Sequence, residues 1–144
     1  MRKQLSFTER HSIVWVEHGR VYKSQPKYNT DNEYHFLKLL ESSGFVPQNV
    51  RQDSIELISM EYIPPQEVTD PDKFHSYYEN LLRALAYNAI RHGDLTEYSI
   101  LVKDNTPIMI DFSESRWLSD SIPSKRPDSD RELLYHAMER VCPL

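Results

Sequence analysis

Two acidic residues, Asp94 and Asp111, lie in the part of the chain whose pattern carries the most chemistry. Asp94 belongs to the run His-Gly-Asp-Leu, and Asp111 ends a short apolar run as Ile-Asp-Phe. The residues between them predict a β-hairpin, with strands at 99–103 and 107–110 joined by an Asp-Asn turn. Such a hairpin would hold the two carboxylates close together, so that one can hold an attacking hydroxyl group and the other Mg²⁺. The pattern therefore indicates phosphoryl transfer.

The elements that must position these acids alternate between short strands and helices. In chain order, the patterns predict strands at 11–17 and 20–24 around a His-Gly turn, a loop at 25–29, a helix at about 31–42, strands at 46–51 and 55–60, a helix from Asp70-Pro71 to about 90, and a last helix at 131–141. Thr30 and Glu33 have the spacing of a capping box for the first helix, and Gly44 follows its end. The apolar stripe of the long helix consists of Phe74, Tyr78, Leu81, Leu82, Leu85 and Ala89.

The bulk properties of the chain limit its class. Its 144 residues fit one domain, or two small lobes around a cleft. No apolar run approaches the ~20 residues that cross a bilayer, and the first residues lack the apolar stretch of a signal peptide. The single cysteine, Cys142, excludes an intramolecular disulfide, so we expect a cytoplasmic protein without a membrane partner. A net charge of −5 argues against direct nucleic-acid binding.

The order of the motifs resembles a reduced protein-kinase-like fold over roughly residues 12–115. The motifs are a hairpin with a lysine, a helix with a glutamate, Met-Glu-Tyr-Ile, a long helix, His-Gly-Asp-Leu and Ile-Asp-Phe. Asp-Leu-Thr-Glu-Tyr-Ser followed by Ile-Asp-Phe-Ser-Glu-Ser is most similar to the atypical RIO kinases, with the small kinase of the tRNA threonylcarbamoyl-adenosine machinery as a near relative. The resemblance implies an α+β, two-lobed fold. Residues 1–63 would form a small N-lobe of antiparallel sheet plus one helix, and 64–144 a truncated helical C-lobe.

The resemblance also implies the roles of the residues at the reacting end of the site. Asp94 matches the catalytic residue that orients or deprotonates the acceptor hydroxyl group. Asp111 matches the Mg²⁺-binding aspartate, which in the RIO kinases can itself accept the phosphoryl group. Five residues after Asp94, where the family has a metal-binding asparagine, this chain has Ser99, whose hydroxyl group can also ligate Mg²⁺.

The nucleotide contacts follow from the same resemblance, with ATP as the cofactor. Lys23 matches the strand lysine that contacts the α- and β-phosphates, and Glu33 matches its partner on the helix. Met60 would be the gatekeeper, and backbone groups of Glu61 and Ile63 would pair with adenine. These five residues are predicted to form the nucleotide site.

Two side chains can also be interpreted from their surroundings in the sequence. Glu33 lies on the helical face that should pack inward, where a carboxylate requires a cation, and Lys23 is the natural candidate. The ion pair and the capping-box role of Glu33 are compatible, and both stay open. His92 is expected to hold the catalytic loop through a backbone hydrogen bond, because Asp94 takes the role of base.

Three functions remain open. The first is an ATP- and Mg²⁺-dependent phosphotransferase or ATPase of the RIO-like serine/threonine protein kinase type, with a protein substrate or partner. The second is a pseudokinase-like module for nucleotide or protein binding, which the lack of a glycine-rich phosphate loop favours, since the chain has only three, widely spaced glycines. The third is a small-molecule kinase, because the aminoglycoside and choline kinases share His-Gly-Asp-Leu.

Overall fold

The computed structural model describes residues 3–7, 12–88, 90–92, 99–113, 115–117 and 129–142. In these ranges the strands are β1 Lys3–Phe7, β2 Ile13–Glu17, β3 Arg20–Ser24, β4 Arg51–Ser54, β5 Leu57–Glu61, β6 Ile90–Arg91, β7 Ile100–Lys103, β8 Thr106–Met109 and β9 Arg116–Trp117. The α-helices are α1 Lys27–Leu40, α2 Pro71–Tyr87 and α3 Ser129–Val141. None of these helices has the combination of length and apolar character that crossing a bilayer requires.

An antiparallel sheet of five strands, in the order β1-β2-β3-β5-β4, carries the first part of the chain. The turn between β2 and β3 lies at His18 and Gly19, as predicted, and both residues have positive φ (51° and 75°). Strand β1 was not predicted. Because Phe7 pairs with Ile13, which in turn pairs with Ser24, the chain from β1 enters β2 at the end of the sheet that carries Lys23.

Helix α1 begins at Lys27, so the predicted loop at 25–29 is wrong beyond its first two residues. The N-cap is Pro26, and no side chain caps the helix. Thr30 is buried within the first turn and its hydroxyl group donates to the carbonyl of Gln25 (3.2 Å). The predicted capping box is therefore wrong, because the helix begins three residues before Thr30, whose hydroxyl group has a local acceptor, and because Glu33 bonds to distant residues. After a 3₁₀ turn at Glu41–Ser43, Gly44 adopts the left-handed conformation that ends the segment, as predicted.

Helix α2 follows the prediction more closely. Asp70 is its N-cap, with the carboxylate accepting a hydrogen bond from the backbone N–H of Lys73 (3.1 Å), and Pro71 is the first helical residue. The helix ends at Tyr87, about three residues before the predicted end. Of the predicted stripe, Phe74, Tyr78, Leu81 and Leu85 are buried and Leu82 is half-buried, whereas Ala89 lies outside the described residues.

Replacing Asp70 by alanine should lower the free energy of unfolding by ~1 kcal/mol, because the N–H of Lys73 then lacks its side-chain partner. The substitution spares the backbone N–H of Asp70, which donates to Asn105 (3.0 Å). Urea denaturation measures the change. Glu79→Ala, at an exposed position of the same helix, should change stability by less than about 0.5 kcal/mol, and equal losses in the two variants would show that the cap is unimportant.

The hairpin of β7 and β8 turns at Asp104 and Asn105, both with positive φ (49° and 62°), as the sequence predicts. A main-chain hydrogen bond from Met109 to the carbonyl of Phe45 (2.8 Å) fastens β8 to the segment that follows α1. One cluster of buried side chains joins both parts of the chain, with members that include Phe36, Leu37, Ile58, Met60, Phe74, Leu81, Ile100, Met109, Phe112 and Met138. The hairpin is thus held close to the five-stranded sheet.

Candidate active site

An open cleft of about 350 Å³ lies between the five-stranded sheet and the β7–β8 hairpin. Most of the side chains that line it are apolar, and three charged ones, Lys23, Glu33 and Asp111, meet within it. The lining residues are Val14, Val21, Lys23, Glu33, Pro47, Met60, Glu61, Tyr62, Ile63, Pro65, Leu101, Ile110 and Asp111. A ligand that joins a flat apolar ring to an anionic group would match this separation of apolar and charged side chains.

Lys23 occupies the middle of the sheet, since its strand β3 lies between β2 and β5. Its ammonium group lies 3.1 Å from the Glu33 carboxylate and 3.3 Å from that of Asp111. Burial alone would lower the pKa of Lys23, but the charges and hydrogen bonds of the two carboxylates outweigh burial and raise this pKa above its ordinary value. Lys23 is therefore a cation at every physiological pH, and the predicted ion pair with Glu33 is confirmed.

Glu33 links the sheet to the segment around Asp111. Its side chain is almost fully buried, and one carboxylate oxygen accepts from Lys23 and from the side-chain amide of Gln25 (2.9 Å). The other oxygen accepts the backbone N–H of Phe112 (2.9 Å). The partner of Glu33 that the sequence identified is Lys23, whereas nothing in the pattern pointed to Gln25 or to the Phe112 amide.

Asp111 has a left-handed backbone conformation, with φ at 66°, which is uncommon for a residue other than glycine. The conformation is held on both sides, because Phe112 donates to Glu33 and the carbonyl of Ile110 contacts His92 Nε2 at 2.7 Å. About half of the Asp111 side chain is exposed (48%), so its carboxylate faces the cleft and remains accessible. Strained backbone that the surroundings hold in place is a recurrent feature of functional sites.

His92 was expected to hold the catalytic loop through a backbone hydrogen bond. Its imidazole contacts the backbone carbonyl of Ile110, the residue before Asp111. The imidazole is fully buried and lies against the ring of Phe112, with 4.8 Å between centroids. A contact of 2.7 Å with a carbonyl oxygen requires the proton on Nε2. The predicted hydrogen bond to the backbone is confirmed, with Ile110 as the acceptor. Residues 93–98 of the catalytic loop lie outside the described residues, so the role of His92 in holding that loop stays a prediction.

Asn32, on α1 next to Glu33, has contacts near the site that no sequence pattern predicts. Its side-chain amide donates to the carbonyl oxygens of Ser113 (3.0 Å) and Ser115 (2.8 Å), and lies 3.5 Å from that of Phe112. An asparagine on a predicted helix gives no indication of such contacts, because the acceptors are about 80 residues away in the sequence.

Met60, Glu61 and Ile63 line the same cleft as Lys23, at the end of β5 and just beyond it. Met60 is buried. The carboxylate of Glu61 is engaged in structural contacts, since it accepts from the backbone N–H of Gln48 (2.9 Å) and from Lys103 Nζ (2.8 Å). The backbone N–H of Glu61 also donates within the protein, to the carbonyl of Gln48 (2.9 Å). The remaining backbone groups of Glu61 and Ile63 are the part predicted to meet a ligand.

The fit of a Mg²⁺ ion depends mainly on Asp111. In the described ranges no three His, Cys, Asp or Glu side chains form a cluster that could hold a metal. Mg²⁺ is usually held by one or two carboxylates plus substrate phosphates and water, so a single accessible carboxylate beside a lysine fits it. Ser99 lies next to this segment, with its carbonyl accepting the N–H of Ile110 (3.0 Å), but its residue is only 1% exposed. Asp94 lies outside the described residues.

Comparison with known proteins identifies a family model and two curated relatives. The model of the RIO domain matches residues 6–126. The serine/threonine-protein kinase rio2 of Schizosaccharomyces pombe is 32% identical over 108 residues, which cover 70% of this chain and 31% of that protein. The RIO-type serine/threonine-protein kinase Rio1 of Methanocaldococcus jannaschii is 49% identical over 37 residues, or 26% of this chain and 13% of that protein. The chain thus spans less than a third of these relatives.

Solved structures of a Rio2 kinase share the fold. The Rio2 kinase from Chaetomium thermophilum, in an ADP/Mg²⁺-phosphoaspartate complex, superposes with a TM-score of 0.69 and 20% identity over 96% of this chain and 54% of that one. Another structure of the Rio2 kinase from this organism gives a TM-score of 0.66 over 92% and 54%. The predicted α+β, reduced protein-kinase-like fold is confirmed.

Proposed function

Because the chain belongs to the RIO domain family, we propose that it is an ATP- and Mg²⁺-dependent phosphotransferase of the atypical serine/threonine protein kinase type. The observation that carries the proposal is the meeting of Lys23, Glu33 and Asp111 in a cleft whose other lining side chains are mostly apolar. The acceptor would be a protein hydroxyl group, Asp111 itself or water. The family does not favour the small-molecule kinase, which the shared His-Gly-Asp-Leu motif left open.

The cleft suits the nucleotide in two parts. The adenine ring would lie among apolar side chains such as Val21 and Leu101, with Met60 behind it and the backbone of Glu61 and Ile63 at its edge. In the proposed arrangement residues 1–63 would form one lobe and 64–144 the other. Described residues from both ranges line the cleft, which supports this division. The ammonium group of Lys23 would contact the α- and β-phosphates. Its ion pair with Glu33 would hold it in position for this contact.

Transfer would take place at the Asp111 end. Bound Mg²⁺ supplies charge neutralisation at the phosphate oxygens, which is the main requirement of phosphoryl transfer. The Asp111 carboxylate would hold the ion, and the near-complete burial of Ser99 argues against its hydroxyl group as a second ligand. Asp94 would orient the acceptor hydroxyl group and take its proton.

Asp111 is also a candidate acceptor, since the structure of the Chaetomium relative is described as a phosphoaspartate complex. In that step a carboxylate oxygen of Asp111 bonds to the γ-phosphorus while the bond from that phosphorus to the bridging oxygen breaks. ADP leaves with the electron pair. Water or a protein hydroxyl group then attacks the acyl phosphate and restores the carboxylate, with the proton passing to solvent or a base.

Incubation with Mg²⁺ and γ-labelled ATP tests the proposed function. We expect label in protein or in free phosphate with the wild-type chain, and loss of both in Asp94→Asn and Asp111→Ala. Acid-stable label would identify Ser or Thr as the acceptor, whereas label released by hydroxylamine would identify phospho-Asp111. Wild-type protein with no more label or phosphate than the two variants would contradict the proposal. Nucleotide-induced thermal stabilisation without turnover would then support the pseudokinase-like module.

A further inference from the structure

The turn after Asp111 is bound to helix α1 by a side chain to which no role has been assigned. Asn32 is only partly buried, yet its amide nitrogen lies within 3.0 Å of two backbone carbonyls, those of Ser113 and Ser115. An amide group has two N–H donors, so these two bonds use its full donor capacity. Both N–H donors of the Asn32 side chain therefore bind the same turn after Asp111.

The neighbouring residue on the helix binds the same turn through the opposite kind of group. Glu33 accepts the N–H of Phe112, while Asn32 donates to carbonyls of the residues that follow. The turn closes on itself through the N–H of Ser115 and the carbonyl of Phe112 (3.1 Å). Helix α1 therefore holds both donors and acceptors of the chain immediately after Asp111.

The left-handed conformation of Asp111 makes this support necessary. A non-glycine residue in this region is strained and persists only where neighbouring contacts over-determine its conformation. His92 fixes the carbonyl before Asp111 and Glu33 fixes the amide after it. Asn32 holds the remainder of the turn, so that the direction of the Asp111 side chain is set from three sides.

We propose that Asn32 is a positioning residue that ties α1 to the Asp111 turn and thereby sets where the Asp111 carboxylate stands for Mg²⁺. The part that concerns Mg²⁺ rests on the proposed function. Removing a group that orients a metal ligand typically costs 10- to 100-fold in metal affinity or activity. Asn32 itself touches neither metal nor nucleotide in this assignment.

Three variants separate this role from a general loss of stability. Asn32→Leu removes both donors at similar volume and adds no charge that would attract Mg²⁺. Asn32→Gln retains the amide on a longer side chain and should recover part of the effect. Asn88→Leu is the matched control, since Asn88 also donates its side-chain amide to a carbonyl, that of Ala84 (2.8 Å), within its own helix region.

The first measurement is amide hydrogen exchange by NMR in the protein without metal. In Asn32→Leu the amides of Phe112 and Ser115 should exchange on the order of tenfold faster than in wild type, because the turn loses hydrogen bonds that hold it closed. The same amides should be unchanged in Asn88→Leu. Equal exchange in wild type and Asn32→Leu would overturn the proposal.

The second measurement is the Mg²⁺ concentration that gives half-maximal turnover of γ-labelled ATP. It should rise about tenfold in Asn32→Leu, while the affinity for ADP in the absence of Mg²⁺ stays within about twofold of wild type. An unchanged Mg²⁺ requirement would contradict the positioning of Asp111 for the ion. If wild type and Asp111→Ala have equal turnover, the proposed function is wrong. Faster exchange in Asn32→Leu would then still support the tie between α1 and the turn, and unchanged exchange would contradict it.

Discussion

Replacing Asp111 by alanine should lower the rate of Mg²⁺-dependent phosphoryl transfer by about 10²–10³-fold or more. The reason is that the Asp111 carboxylate is the accessible acid beside Lys23 in the cleft, and transfer depends on neutralising charge at that point. Turnover of γ-labelled ATP at saturating Mg²⁺ measures the change. The decrease should be in kcat, and raising the Mg²⁺ concentration should not restore it.

Two further substitutions of Asp111 exclude unfolding as the cause. Asp111→Asn keeps the shape of the side chain and removes its charge, so it should be nearly as inactive as the alanine variant. Asp111→Gly should be inactive and more thermostable than Asp111→Ala, because glycine accepts a φ of 66° without the cost that alanine has. Wild-type turnover in a folded Asp111→Asn protein would refute the assignment of Asp111 as the metal ligand.

Replacing Lys23 by methionine should lower the free energy of unfolding by about 3–5 kcal/mol. The change leaves the carboxylate of Glu33 almost fully buried without its cation, although the N–H of Phe112 and the amide of Gln25 still donate to it. Domains of this size have a total stability of about 5–15 kcal/mol, so the variant should be close to unfolding. Urea denaturation measures the difference.

The double variant Lys23→Met/Glu33→Gln tests the cause of that loss. If the cost comes from an unpaired buried charge, removing the second charge should recover most of it, since the pair is then replaced by neutral side chains of similar size. The amide oxygen that replaces the carboxylate on α1 can still accept the N–H of Phe112. Losses that simply add in the double variant would show that Lys23 and Glu33 act independently.

The difference in the free energy of unfolding between wild type and Lys23→Met depends on pH, and the direction of this dependence follows from the pKa of Lys23. Pairing raises the pKa of Lys23 in the folded protein above its ordinary value, so the stability that the charged lysine contributes is fully present below the unfolded pKa of about 10.4. It is lost as the pH rises through the raised pKa of the folded state. The gap in stability between wild type and Lys23→Met should therefore narrow in strongly alkaline solution, where Lys23 loses its proton. It should also narrow in acid, where protonation of the Glu33 carboxylate removes the unpaired buried charge in the variant.

Features of the fold that depend on neighbouring residues were predictable from the sequence. The His18-Gly19 and Asp104-Asn105 turns and the Asp70 cap each follow from backbone preferences and short-range hydrogen bonds, and all three occur where predicted. The start of α1 was wrong for the opposite reason. Glu33 fits a local capping rule, but its actual partners include Phe112, which is 79 residues away.

In the site, too, the contacts that the order of motifs implies were predictable, whereas those that depend on tertiary packing were not. The order of motifs predicted that Lys23 and Glu33 meet, because the strand lysine and helix glutamate recur together in this fold. The bonds of Asn32 and the left-handed conformation of Asp111 depend on how closely a later turn approaches α1. No periodicity or spacing encodes such a distance, and the short strands β1, β6 and β9 were missed for the same reason.

One edge of the five-stranded sheet is formed by β4, whose four residues Arg51–Ser54 are all exposed and polar. An edge strand presents N–H and C=O groups that can pair with a second copy of the chain and begin aggregation. Here the edge is short, and it carries both signs of charge in the Arg51–Asp53 pair (3.6 Å). Strand-to-strand association through β4 is therefore disfavoured.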